Sequence, residues 1–125
     1  MSLSAVLIVE DDEPTRTFFL HTLRGAGFQA SAVDDGVRAL EAIERGKRPD
    51  AIVLDLGLPR LGGKDVYKEL RAQTETKRIP IIVVTGLELS PQDRANYQFF
   101  LAKPVQPEAL VFAIDNALRG RHASL

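Results

Sequence analysis

The 125-residue sequence contains no cysteine. That excludes disulfides and cysteine-ligated metals, and it is compatible with a reducing compartment. The longest uncharged apolar runs, such as AVLIV at 5–9 and IPIIVV at 79–84, are far too short to span a bilayer. The N-terminal MSLSA lacks the basic segment and long apolar core of a signal peptide. Neither sign of charge is in excess: 16 Lys and Arg face 17 Asp and Glu, a net charge of −1, which argues against a general nucleic-acid binder. No repeat, linker or low-complexity segment is visible. The expectation is a cytoplasmic chain with no membrane segment and no direct nucleic-acid contact. What is present, 45% hydrophobic and 26% charged residues, suits a soluble globular fold. The length suits one domain over 1–125, with a core at about 5–119 and a loose tail at 120–125.

Short apolar runs alternate with amphipathic segments. The runs are AVLIV (5–9), FQASAV (28–33), AIVL (51–54), IPIIVV (79–84) and QFFLA (98–102). Those at 5–9, 51–54 and 79–84 are continuously apolar, as expected of central parallel strands covered on both faces. FQASAV instead alternates, with Phe28, Ala30 and Ala32 on one face, which suits an edge strand. Helical spacing falls at 14–25 (Phe19, Leu23), 36–46 (Val37, Leu40, Ile43), 63–73 (Val66, Leu70) and 106–119 (Leu110, Ile114, Leu118). Glycines at 25–27 and 46 close the first two helices, and Pro107 opens the last. SPQD at 90–93 resembles a capping box with room for a short helix only. The pattern βαβαβαβαβα predicts an α/β, doubly wound, five-stranded parallel sheet with helices on both faces.

AIVL runs straight into Asp55, and a charge at the end of a buried strand needs a partner or a task. Four strands deliver polar groups at their carboxyl ends: Glu10, Asp11 and Asp12 after the first, Asp55 after the third, Thr85 and Gly86 after the fourth, Lys103 and Pro104 after the fifth. In an open α/β sheet the binding crevice forms at that edge. Glu10, Asp11 and Asp55 brought together repel, and a hard divalent cation relieves the repulsion; oxygen-only ligands suit Mg²⁺. Lys103 and Thr85 remain as donors for an anion. The set describes a carboxylate that accepts a phosphoryl group while metal and lysine neutralise charge, with Asp55 as nucleophile.

Four segments, VLIVEDDEPTR, RPDAIVLDLGLPRLGG, IPIIVVTG and FLAKP, together make the chain resemble the receiver domain of bacterial two-component response regulators, the flavodoxin/CheY-like fold. They follow the family order over roughly 5–119. The resemblance implies a strand order of 2-1-3-4-5. It implies Mg²⁺ held by Glu10, Asp11, Asp55 and the backbone carbonyl of Gly57, with Asp12 just outside. It implies phosphorylation of Asp55 by a histidine kinase or phosphotransfer protein. Thr85 would bond a phosphoryl oxygen, Lys103 would contact Asp55 or its phosphate, Phe100 would be the aromatic switch residue, and the Lys103–Pro104 bond would be cis. The output partner would be a downstream protein or a covalently linked domain. Two departures stand out. The stretch from Thr85 to Lys103 is about one helical turn short of the family's usual length, so the fourth helix should be short or irregular. The glycine pair at 62–63 replaces an acidic-Gly or Asn-Gly pair, expected to matter little.

Plainer readings stand beside these. Asp12 suits a helix N-cap as well as a metal pocket. Thr85 alone reads as a strand residue, Lys103 as a loop lysine and Phe100 as core. Asp34 and Asp35 before Gly36 read as turn and N-cap. A receiver-like interaction module without phosphate turnover is the alternative function. An aspartyl phosphatase of the haloacid dehalogenase class requires a second acid two residues after the nucleophile, where this chain has Gly57.

Overall fold

The computed structural model describes residues 3–123. Ten elements alternate: β1 (Ala5–Val9), α1 (Glu13–Gly25), β2 (Gln29–Val33), α2 (Gly36–Glu44), β3 (Ala51–Asp55), α3 (Gly63–Ala72), β4 (Ile81–Thr85), α4 (Pro91–Ala95), β5 (Phe99–Ala102) and α5 (Pro107–Ala123). The strands form one parallel sheet in the order β2-β1-β3-β4-β5, as expected, with β2 at one edge.

The strand period of two sorts the core into two layers. Val6, Ile8, Val53, Ile82 and Val84 pack with Phe19 and Leu23 of α1 and Leu110 and Ile114 of α5. Leu7, Val9, Ile52, Leu54 and Val83 face the other way, onto Ala39 and Ile43 of α2 and Val66 and Leu70 of α3. Each central strand is thus covered twice, which is why its sequence is unbroken by polar residues. Phe28, Ala30 and Ala32 join the α1/α5 layer only.

Local signals set the helix ends. Asp12 and Asp35 cap α1 and α2, their carboxylates accepting from Thr15 N at 3.1 Å and Arg38 N at 2.9 Å. Ser90 caps α4 in the same way through Asp93 N. Gly27 and Gly46 take φ values of 95° and 98° beyond α1 and α2.

Most boundaries shift by a residue or two, and three shifts carry a physical reason or bear on the site. Ladder pairing of β4 begins at Ile81, opposite Ile52, so the expected 79–84 becomes 81–85. Pro80 carries no N–H to extend the ladder, though its carbonyl still accepts from Ile52 N at 3.0 Å. Strand β3 continues through Asp55, so the expected phosphoacceptor is itself the last strand residue. Helix α5 continues through Ala123 where a loose tail was expected from 120; residues 124–125 of that tail lie outside the described residues. The fourth helix is short, five residues with none buried.

Candidate functional site

Four strand ends converge on one pocket. Strand β1 hands over to Glu10, whose backbone N–H still reaches Val33 O of β2 at 3.1 Å. Its side chain is only 1% exposed. Oε1 accepts from Lys103 Nζ at 2.6 Å, and Oε2 from Asp12 N at 3.1 Å. Asp55 is 6% exposed. Its Oδ1 accepts from Gly57 N at 3.1 Å and its Oδ2 from Lys103 Nζ at 3.2 Å. Lys103, 93 residues beyond Glu10 in the chain, thus bridges the two buried carboxylates. Its own backbone N–H donates to Thr85 O at 3.0 Å, fastening the ends of β4 and β5 together. The Lys103–Pro104 peptide is cis.

Asp11 is exposed at the mouth. Carboxylate oxygens of Glu10, Asp11 and Asp55 lie within 4.8 Å of one another. Asp12 stands outside that group: its carboxylate is engaged by the Thr15 hydroxyl and backbone N–H, which together hold it below the usual aspartate range. The N-cap is therefore the role its geometry displays. Thr85 is 1% exposed, and its Oγ1 accepts from Leu87 N at 3.1 Å, leaving the hydroxyl proton uncommitted by that bond. Phe100 is half-buried at the margin of the α2/α3 layer, with the Arg94 guanidinium 4.7 Å from its ring centroid.

The electrostatics follow from burial. Desolvation pushes the Glu10 carboxyl up to about 7; the hydrogen bonds from Lys103 and Asp12 N oppose this, and the Asp55 charge adds to it. Burial alone would lower the Lys103 pKa, but the hydrogen bond to Glu10 and the charge of Asp55 outweigh it and leave the ammonium above its usual range. The Lys103 ammonium is therefore fixed between the carboxyl groups of Glu10 and Asp55 at neutral pH.

Two supporting residues had no role assigned from sequence. Arg16 Nη1 donates to the carbonyls of Glu10 and Asp11 at 3.1 and 3.2 Å and holds the acidic loop against α1. Gly63 opens α3 against the back of the loop that follows β3, where a Cβ would lie 2.2 Å from Asp55 O and 2.5 Å from Leu56 Cα. The cue for Gly63 was the glycine pair itself, read as a minor turn variation; the close approach gives it a specific need for glycine.

The donor set fits a hard cation: three carboxylates in reach of one another, oxygen only, with no competing nitrogen or sulfur ligand in the group.

The model of the response regulator receiver domain matches residues 6–115. The chain belongs to that family, whose members are regulatory domains of two-component signal transduction. The sensory transduction protein RegX3 of Mycolicibacterium smegmatis is 37% identical over 127 residues, covering 94% of this chain and 51% of that protein. The DNA-binding response regulator MtrA of Mycobacterium tuberculosis is 36% identical over 91% of this chain and 50% of its own. The chain spans about half the length of the curated relatives it matches. Among solved structures, the receiver domain of the sensor histidine kinase PA1611 from Pseudomonas aeruginosa, with magnesium coordinated in its active-site cleft, superposes with a TM-score of 0.85. Its identity is 32%, over 94% of this chain and 99% of that one. Chemotaxis response regulator CheY4 of Vibrio cholerae gives 0.83 at 30% identity, over 93% and 99%.

Proposed function

We propose that Asp55 is the phosphoacceptor of this receiver and that Glu10, Asp11, Asp55 and the Gly57 carbonyl hold Mg²⁺. The observation that carries the reading is the placement of Asp55, a buried carboxylate beside a second one, with Lys103 spanning both. A carboxylate oxygen of Asp55 attacks phosphorus of a phosphohistidine. The P–O bond forms as the P–N bond breaks, and the electron pair leaves on the imidazole nitrogen. When bound, Mg²⁺ supplies neutralisation of charge on the transferring group. Lys103 supplies a mobile ammonium that exchanges a carboxylate for a phosphoryl oxygen. Thr85 supplies a hydroxyl proton for another phosphoryl oxygen while its Oγ1 stays anchored by Leu87 N. Gly57 N fixes the Asp55 rotamer. Water attack on the acyl phosphate later returns free Asp55 and inorganic phosphate.

The donor is a histidine kinase or phosphotransfer protein, and we place the reaction in the cytoplasm. Among the described residues no helix is long and apolar enough to cross a membrane. MtrA is DNA-binding as a whole protein; this chain, with a near-neutral charge, is read as signalling through protein contacts. The receiver-like module without turnover is disfavoured because every group the transfer needs is present and in register.

Acetyl phosphate with Mg²⁺ should add one acid-labile phosphoryl group to the wild type and none to Asp55→Asn. Excess EDTA, or Glu10→Ala with Asp11→Ala, should abolish labelling. Wild-type labelling of Asp55→Asn would place the acceptor elsewhere, and full labelling in EDTA would remove the metal from the reading.

A further inference from the structure

The short α4 leaves the flank of α3 uncovered. Between the two helices runs a cleft of about 680 Å³. One rim is a row of cations on α3: Lys64, Lys68 and Arg71, spaced i, i+4 and i+7 and therefore on one face. The floor is aromatic: the Tyr67 and Tyr97 rings meet edge to face at 4.9 Å. Arg71 is held in place, its guanidinium 5.0 Å from the Tyr67 ring centroid and donating to Ile79 O at 2.8 Å. The opposite wall offers one carboxylate, Asp93, already engaged by Lys64 at 3.4 Å. Lys68 takes part in no ion pair among the described residues. The rim is thus net positive on a chain whose overall charge is −1.

We propose that the α3–α4 cleft is a docking site for an acidic peptide segment of a partner protein, bound in extended form. Charge and the aromatic floor select the occupant. Along the helix axis Lys64 and Lys68 are separated by about 6 Å, close to the roughly 6.5 to 7 Å between alternate residues of an extended strand. A strand with acids at alternate positions sets two carboxylates against these lysines and turns its other side chains onto the two tyrosines. A single compact anion would engage one cation of the row and leave the tyrosine floor unused. The wall carrying Asp93 disfavours a continuous phosphate backbone.

The site also adjoins Phe100 of β5. Arg94 of α4 lies over Phe100, Asn96 O accepts from the Tyr67 hydroxyl at 3.4 Å, and Tyr97 joins Phe100 against the α2/α3 core layer.

The test is a titration of the unphosphorylated protein with a short fluorescein-labelled peptide alternating glutamate with leucine and tyrosine. It does not depend on Asp55 being the phosphoacceptor. The anisotropy curve should weaken with salt. Lys64→Glu with Lys68→Glu, both on exposed positions, should weaken binding about tenfold. Arg45→Glu, at the far end of α2, should leave it unchanged. Amide chemical shifts should move at 64–72 and 91–97. No binding, equal loss in Arg45→Glu, or shifts confined to other segments would overturn the proposal. So would capture of a single-stranded oligonucleotide at these residues in place of the peptide, which would assign the cleft to nucleic acid.

Discussion

Gly63 shows how much of the Asp55–Leu56 loop depends on one missing methyl group. Helix α3 begins directly behind the Asp55–Leu56 peptide, and Gly63 N donates to Leu56 O at 3.2 Å. A Cβ there would meet three backbone atoms of Asp55 and Leu56 at 2.2 to 2.9 Å, and backbone cannot turn aside as a side-chain tip can. Gly63→Ala should therefore cost about 1–3 kcal/mol and displace Asp55, slowing phosphorylation by small donors. At Gly57, two residues past Asp55, the nearest atoms to a new Cβ are 3.8 and 3.9 Å away. Gly57→Ala should stay within about 0.5 kcal/mol of the wild type. Urea unfolding of the pair decides the point; equal stabilities would mean the loop relaxes freely and that the contact with α3 does not fix it. The buried bridge of Lys103 follows a different logic. Removing its ammonium would leave two carboxylates in one desolvated pocket, so its contribution is charge compensation more than packing.

At the scale of elements, most of the design is readable in the sequence because period and punctuation coincide. Continuous apolar runs became the doubly covered strands, the alternating run became the edge strand, and Asp12, Asp35 and Ser90 became caps. The end of α5 was less legible, since nothing in RGRHASL breaks a helix before Ala123 except weak propensity. Helix α4 was expected to be short, and its weakness can now be located: it buries no residue and is tied down only at its edges. Those ties include the Lys64–Asp93 ion pair, Arg94 on Phe100, the Tyr67 hydroxyl on Asn96 O and Tyr97 against Tyr67. Few buried apolar contacts imply a low local opening energy. Amide exchange across residues 90–97 should be far faster than in β4, whose residues are all buried. Ser90→Ala should accelerate it further by removing a cap worth about 1 kcal/mol, with little change in global unfolding. Phosphorylation, or a beryllofluoride mimic at Asp55, should alter protection across 86–103, because this segment runs from Thr85 through Phe100 to Lys103. Unchanged exchange there would mean that the signal leaves by another face.

For the whole molecule, the long-range pairings were the part the sequence could not display. The sign and type of Glu10, Asp55 and Lys103 were visible, but the preference of Lys103 for Glu10 at 2.6 Å over Asp55 at 3.2 Å depends on how four strand ends stack. The same holds for Arg60, at φ 62°, reaching across 25 residues to the Asp35 cap. The bridge couples global stability to pH. In the metal-free protein the Glu10 carboxyl titrates near 7 against an ordinary 4.5, chiefly because burial disfavours its anion. Between those values the folded state holds a proton that the unfolded state has released, so unfolding is favoured as pH rises. The contribution from protonated Glu10 is complete below about pH 4.5 and is lost as pH climbs through about 7. A shift of that size corresponds to a loss on the order of 3 kcal/mol. Other groups titrate as well, so the informative quantity is the wild type minus Glu10→Gln, a variant that keeps an acceptor for Lys103 but cannot ionise. In EDTA, that difference should move against the wild type between pH 5 and pH 8. Added Mg²⁺ should reverse the trend for the wild type alone, since a cation favours the ionised carboxylate. Parallel unfolding curves for the two proteins across this range would show that Glu10 is already ionised in the fold, with Lys103 fully offsetting its burial.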